Sequence, residues 1–192
     1  MTRGHIRPGG RTERVRLAVV AAVLGFIQRG VTDFTMSDVA EQSGIARSTL
    51  HARWPSRDAL IAEALRSHNA GFAVTPQADW REHLHHVARA FRDFAARPDE
   101  IAINALTANL GAGFLAEETN RQWQQIAETL AAPLDRARAG GALRSAVDPR
   151  LVISTLFTSI TARILIAKEV PDDAALAGVV DLLIGGCQAG PA

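Results

Sequence analysis

Tyrosine is absent from this 192-residue chain, and cysteine occurs once, as Cys187. A single cysteine excludes an intrachain disulfide framework and any metal site built on several thiolates. It lies in an apolar stretch, where the ordinary role is that of a small buried hydrophobe. Phe and Trp are few, β-branched runs are short and alanine is abundant, a balance that favours helices packing closely through small side chains. No alternating run with turn chemistry competes with the helical periodicity. A secretory signal is missing too. The apolar run Leu17 to Ile27 ends in Gln28-Arg29-Gly30 rather than in a small-residue cleavage site. That run is too short to span a bilayer and no later stretch reads as a better candidate, so a cytoplasmic protein without a membrane partner is expected. There is no nucleophile elbow, Walker loop, dinucleotide glycine fingerprint or zinc-hydrolase motif. Neither enzymatic activity nor a cofactor is expected.

Apolar residues make up 47% of the chain and charged residues 21%, enough to bury a sizeable core and too balanced for global disorder. The net charge of +1 conceals an asymmetry. Residues 1–60 hold nine Arg against five acids, giving +4, while residues 61–192 hold twelve basic and fifteen acidic residues, giving −3. A basic head on a mildly acidic body suits a polyanionic partner for the head alone.

Punctuation along the chain predicts helices throughout. Residues 1–10 read as a flexible basic arm, residues 11–58 as one domain and residues 59–192 as a second. Arg11 to Arg29 forms a helix closed by Gly30. Thr35 caps a short helix, with Asp38 three residues on completing a capping box, and Gly44 ends it. A third helix runs from Ala46 to Trp54 and stops at Pro55. Ser56 caps a fourth that reaches Asn69. After a break at 71–79 come Trp80–Arg97, Asp99–Leu110 and Phe114–Ala139. Asp148-Pro149 opens a helix to about Glu169, and Pro171-Asp172 opens the last, to about Gly185.

Between Thr35 and Trp54 the spacing describes a helix-turn-helix. Ala40 is small enough to let the second helix cross close over the first, and Gly44 supplies the positive φ of the turn. Val39, Ile45 and Leu50 form the shared apolar contact. Arg47, Ser48, Thr49, His51 and Arg53 are left outward or on the flank, where Arg suits guanine and Ser or Thr suits bases or phosphates. The caps Thr35 and Ser37, together with Ser56 and Arg57, suit phosphates. Ala46 opens the recognition helix, and Trp54 fits a core position under the first helix better than a base-stacking one.

The stretch Gly30 to Leu60, with the Phe26…Arg29-Gly30 helix end before it, closely resembles the N-terminal domain of tetracycline-repressor (TetR) family regulators. The matched features are Thr35-x-x-Asp-Val-Ala, Gly44, Arg47-x-Thr-Leu and Trp54-Pro-Ser-Arg-Asp-Ala-Leu. This chain departs from the family pattern at His51, where Tyr is usual, at Arg53, where an aromatic residue or His is usual, and at Ala46, often Ser. The resemblance implies an all-α protein: an N-terminal three-helix helix-turn-helix DNA-binding domain plus a C-terminal helical ligand-binding and dimerisation domain. It implies a palindromic double-stranded DNA operator, a small-molecule effector and a homodimer.

Beyond residue 70 the residues themselves add two expectations. The last two helices are more apolar than one core-facing stripe requires, so Leu156, Ile160, Ile164, Val180, Leu183 and Ile184 are expected at a four-helix dimer interface. A pocket for a small, mostly apolar effector is expected among Phe91, Phe94, Asn104, Thr107, Trp123, Ile126 and Phe157. The group His83, His85 and His86 lacks a completing Cys or carboxylate and reads as a solvated polar face rather than a metal site. The function that follows is a ligand-responsive repressor. Its rivals are an activator without small-molecule induction, a helical protein-interaction module, and an enzyme on a helical scaffold.

Overall fold

In the computed structural model the described residues are 9–109 and 113–189. Most of the expected basic arm, residues 1–8, lies outside them. The described residues form nine α-helices, which bears out the all-α expectation: α1 (Gly9–Gln28), α2 (Met36–Ser43), α3 (Arg47–Arg53), α4 (Arg57–Asn69), α5 (Trp80–Ala95), α6 (Pro98–Asn109), α7 (Phe114–Ala139), α8 (Pro149–Ala162) and α9 (Asp173–Cys187). A π-helical turn, Arg163–Ala167, extends α8.

The boundaries follow local chemistry. Gly30 takes φ 75°, so the Gly30 and Val31 amides donate back to the carbonyls of Ile27 and Phe26 and close α1. Asp79, Asp148 and Asp172 each accept from first-turn amides of the helix that follows.

Two cores result. In the first, Val19, Val20, Val23 and Ile27 of α1 pack on Val39, Leu50 and Trp54, on Leu60, Ile61, Ala64 and Leu65 of α4, and on Ile103 of α6 and Leu115 of α7. The second joins α5, α7, α8 and α9 through residues such as Leu84, Val87, Leu134, Ile153 and Val180. The expected junction at 58/59 therefore falls inside α4, whose apolar face belongs to the first core.

Burial corrects three further expectations. Leu156, Ile160, Ile164 and Val180 are between 0% and 5% exposed inside the second core, so they are not free to meet a partner; Leu183 and Ile184 are half-buried. His83 is fully buried instead of solvated. Its Nδ1 accepts from the Gln77 amide and its Nε2 donates to the Leu130 carbonyl, and burial lowers its pKa. Lastly, Pro149–Ala167 is long and apolar enough to cross a membrane by length and composition, which the sequence reading passed over. In the fold its Val152, Ile153, Leu156, Phe157, Ile160 and Ile164 pack into the second core.

Candidate nucleic-acid interface and ligand cavity

The turn between α2 and α3 is fixed at both ends by side chains. Asp38 Oδ2 accepts from the Thr35 amide at 2.7 Å and from its hydroxyl at 2.8 Å, while the Asp38 amide donates to Thr35 Oγ1 at 3.3 Å. This complete capping box holds the Asp38 carboxyl below its ordinary pKa, the Thr35 amide contributing most. Gly44 sits at φ 68°, and the chain turns directly into α3. Ala46 occupies the N-cap of α3 with no side-chain bond to the helix amides.

Leu50 on α3 and Trp54 at its C-cap are buried, at 0% and 8% exposure. Trp54 is thereby removed from the set of DNA-contacting candidates. At 3.6 residues per turn, Ser48 and Ala52 lie opposite those two. Arg47, Ser48, His51, Ala52 and Arg53 are exposed, and Thr49 is half-buried. Sequence reasoning did not single out Ala52, because a methyl carries no chemistry of its own. Its signal was position: four residues after Ser48 on one helix face.

Two of the candidate DNA-contacting arginines, Arg53 and Arg57, have intramolecular partners. Arg53 donates to the carbonyl and hydroxyl of Thr12, tying α3 to α1. Arg57 lies over the Phe34 ring at 4.8 Å and donates to the Thr32 carbonyl. Phe34 stacks on Phe26 at 5.0 Å, and Arg29 lies over the Phe26 ring at 5.1 Å. These contacts among Arg29, Phe26, Phe34 and Arg57 hold the segment that leads into the Thr35 cap against the end of α1. Thr35 is exposed and Ser37 half-buried at the start of α2.

A cavity of about 580 Å³ opens between α5, α6, α7, α8 and the π-turn. Four of the expected lining residues are there: Phe91, Asn104, Trp123 and Phe157. Phe91 stacks on Phe157 at 4.0 Å, and Trp123 meets both edge-on at 5.4 and 5.5 Å. The other three expected residues lie elsewhere. Phe94 is buried against His68 and Phe72, Thr107 donates to the Ile103 carbonyl, and Ile126 lines a second cavity of about 440 Å³ between α4 and α7. Ser154, Thr158 and Thr161 also line the first cavity. Their i, i+4, i+7 spacing, which places three hydroxyls on one face of α8, was a readable signal that sequence reasoning missed.

Two buried polar clusters fasten α4 to the body. Glu100 of α6 faces His68 Nε2 at 2.5 Å, and Asp99 faces His68 Nδ1 at 3.6 Å. Burial raises the Asp99 pKa, but the Arg97 guanidinium together with His68 and the Glu100 amide outweighs it and the net direction is down. The Asn104 amide donates to the Glu100 carboxylate at 2.6 Å and to the Glu100 carbonyl at 3.1 Å. Asn104 thus touches the cavity on one side and the His68–Glu100 pair on the other. In the second cluster Asn69 donates to Gln122 at 2.9 Å, and Gln122 donates to Glu118 and to the Ala62 carbonyl. Among the described residues no group of His, Cys, Asp and Glu is arranged to hold a metal ion.

Residues 19–64 match the family model described as bacterial regulatory proteins, tetR family, and residues 74–183 match the one described as tetracyclin repressor-like, C-terminal domain. A helix-turn-helix-type transcriptional regulator from Mycobacterium tuberculosis is 29% identical over 181 residues, covering 92% of each chain. The solved structure of a flavonoid-responsive regulator, FrrA, is similar with a TM-score of 0.72 at 22% identity, over 92% of this chain and 98% of that one. A Bacillus subtilis regulator, FadR, solved with stearoyl-CoA, is similar with a TM-score of 0.63 at 15% identity, over 91% and 98%.

Proposed function

This chain belongs to the tetracycline-repressor family of DNA-binding transcription regulators, and from that membership we propose that it is a cytoplasmic, homodimeric repressor released from a palindromic operator by a small, mostly apolar effector. Two recognition helices enter successive major grooves. Arg47, Ser48 and the Ala52 methyl face the bases, and Thr49 and His51 flank them. Thr35 and Ser37 present the α2 N-terminus to phosphate. Arg53 and Arg57 act chiefly by holding the reading head in shape.

The observation that carries the regulatory part of this reading is the double role of Asn104. It lines the cavity and bonds Glu100, whose carboxylate holds His68 at the end of α4. The other end of α4 begins at Ser56 and Arg57, beside the helix-turn-helix. An effector that engages Asn104 changes the partners of a buried α6–α4 pair. It biases α4, and with it the spacing of the two reading heads, toward an arrangement unable to span both half-sites.

Fluorescence anisotropy with a duplex carrying the region upstream of the protein's own coding sequence tests the DNA part. Saturable, salt-dependent binding is expected, lost in a scrambled duplex. Arg47→Ala/Thr49→Ala should weaken specific binding by roughly tenfold or more, the worth of one good base contact. Equal binding by parent and double variant would overturn the assignment of α3 as the reading helix.

A further inference from the structure

We propose that the cavity selects an amphipathic organic anion: a planar aromatic body lying on the Phe91–Trp123–Phe157 floor, with its acidic group at the rim beside Lys168. The inference rests on the reading of this cavity as the effector site and adds the chemical class of the effector.

Charge gives the first argument. Among the described residues no Asp, Glu, Arg or His lines the cavity, and Lys168 is the one charged residue that does. It is also the only lysine in a chain that otherwise uses arginine for every cation. Nearly every arginine of α7, α8 and the π-turn region that could compete has a carboxylate partner: Arg121 with Glu118, Arg138 with Asp135, Arg150 with Glu128 and Arg163 with Glu169. Lys168 makes no ion pair among the described residues. A cationic effector would find no counter-charge in the cavity, whereas an anion finds one, at the rim.

Backbone conformation gives the second. Among the described residues Lys168 is the one non-glycine residue with positive φ, at 58°, a conformation that side chains with a Cβ rarely adopt. It follows directly on the π-turn, which leaves Ile166 82% exposed at the same rim. A π-turn and a left-handed residue placed together at a cavity edge are the kind of local strain that collects at ligand sites.

Shape gives the third. The floor is aromatic, with Phe91 and Phe157 buried, Trp123 half-buried and buried Ala127 beside them, while the rim residues Asn120, Gln124, Ser154 and Thr158 are exposed and neutral. The volume suits a ligand of drug size. A flat apolar body with one acidic end therefore matches floor and rim together.

Two fluorescent probes separate the charge from the body: 8-anilinonaphthalene-1-sulfonate and its uncharged counterpart, N-phenyl-1-naphthylamine. The full-length protein should bind both, one per chain, the sulfonate more tightly at low salt. Lys168→Gln should weaken the sulfonate by about two- to fivefold, the size of a partly exposed ion pair, and leave the neutral dye unchanged; Lys168→Arg should restore the sulfonate. Thr158→Trp, which fills the cavity, should abolish both, with Ser154→Trp as the second filling variant should the first fail to fold by circular dichroism. Undiminished sulfonate affinity in Lys168→Gln overturns the anionic class while leaving the cavity as the effector site. Undiminished binding of both dyes in a folded filling variant overturns the cavity reading itself.

Discussion

The guanidinium of Arg57 shows how much a side chain's surroundings add to what its neighbours in sequence suggest. A cation at the start of α4 reads as a phosphate contact, yet here it covers Phe34 and holds the Thr32 carbonyl. Arg57→Ala is therefore expected to destabilise the fold by about 1–2 kcal/mol, the combined size of a cation–π contact and a charged hydrogen bond. The salt slope of DNA binding should stay as in the parent; thermal melts and a salt titration read the two effects separately. His83 carries a pH prediction. Burial keeps its pKa below 6.5, so between the folded-state value and 6.5 the unfolded chain binds more protons than the folded one. Stability is then full above 6.5 and falls as pH drops below it. Melting temperature should decline through that window, and His83→Gln should remove that part of the decline.

At the scale of elements, α4 matters most. Its apolar face belongs to the first core, and its last turn is held to α6 and α7 by buried polar groups. Breaking the link at the cavity side should leave both binding activities and remove their connection. Asn104→Leu is expected to bind the operator duplex like the parent and to bind the naphthalene sulfonate within a few-fold of it. The mutual weakening of dye and duplex, about 5- to 150-fold for ordinary coupling, should fall toward none. Measuring each affinity with the other ligand present or absent decides this, and an undiminished coupling factor would exclude the route through Glu100 and His68. The caps of these helices were legible in the sequence. Thr35 with Asp38, Gly44, Ser56, Asp148 and Asp172 act on amides within a few residues, so their chemistry is local. The π-turn at Arg163–Ala167 was not legible. Nothing in Arg-Ile-Leu-Ile-Ala distinguishes it from continuing α-helix until its packing is known.

At the scale of the molecule, the division of apolar residues between core and partner decides assembly. Leu156, Ile160, Ile164 and Val180 are inside their own chain, while Leu151 is 64% and Leu182 77% exposed. The Leu182 side of α9 also carries exposed Ala174, Gly178, Gly185 and Gly186, small residues that permit close helix approach. Leu182→Glu is thus expected to convert dimer to monomer in sedimentation without loss of helicity, and to weaken binding to a two-half-site duplex. Ile164→Glu should instead unfold the second core. A Leu182→Glu chain that sediments as a dimer would place the interface elsewhere.

By itself the sequence determined the order and type of the helices, the helix-turn-helix frame from Thr35 to Trp54, and the outward set on α3. These depend on periodicity, caps and one left-handed glycine, all of them interactions over a few residues. Tertiary structure alone decided which of the many apolar positions on α8 and α9 face inward, that His83 is buried, that Asn104 joins the cavity to His68, and that Lys168 stands at the cavity rim. A helix apolar on most of its faces does not specify which face is covered. That choice comes from contacts between segments far apart in the chain, and the cavity and its rim exist only once those contacts form.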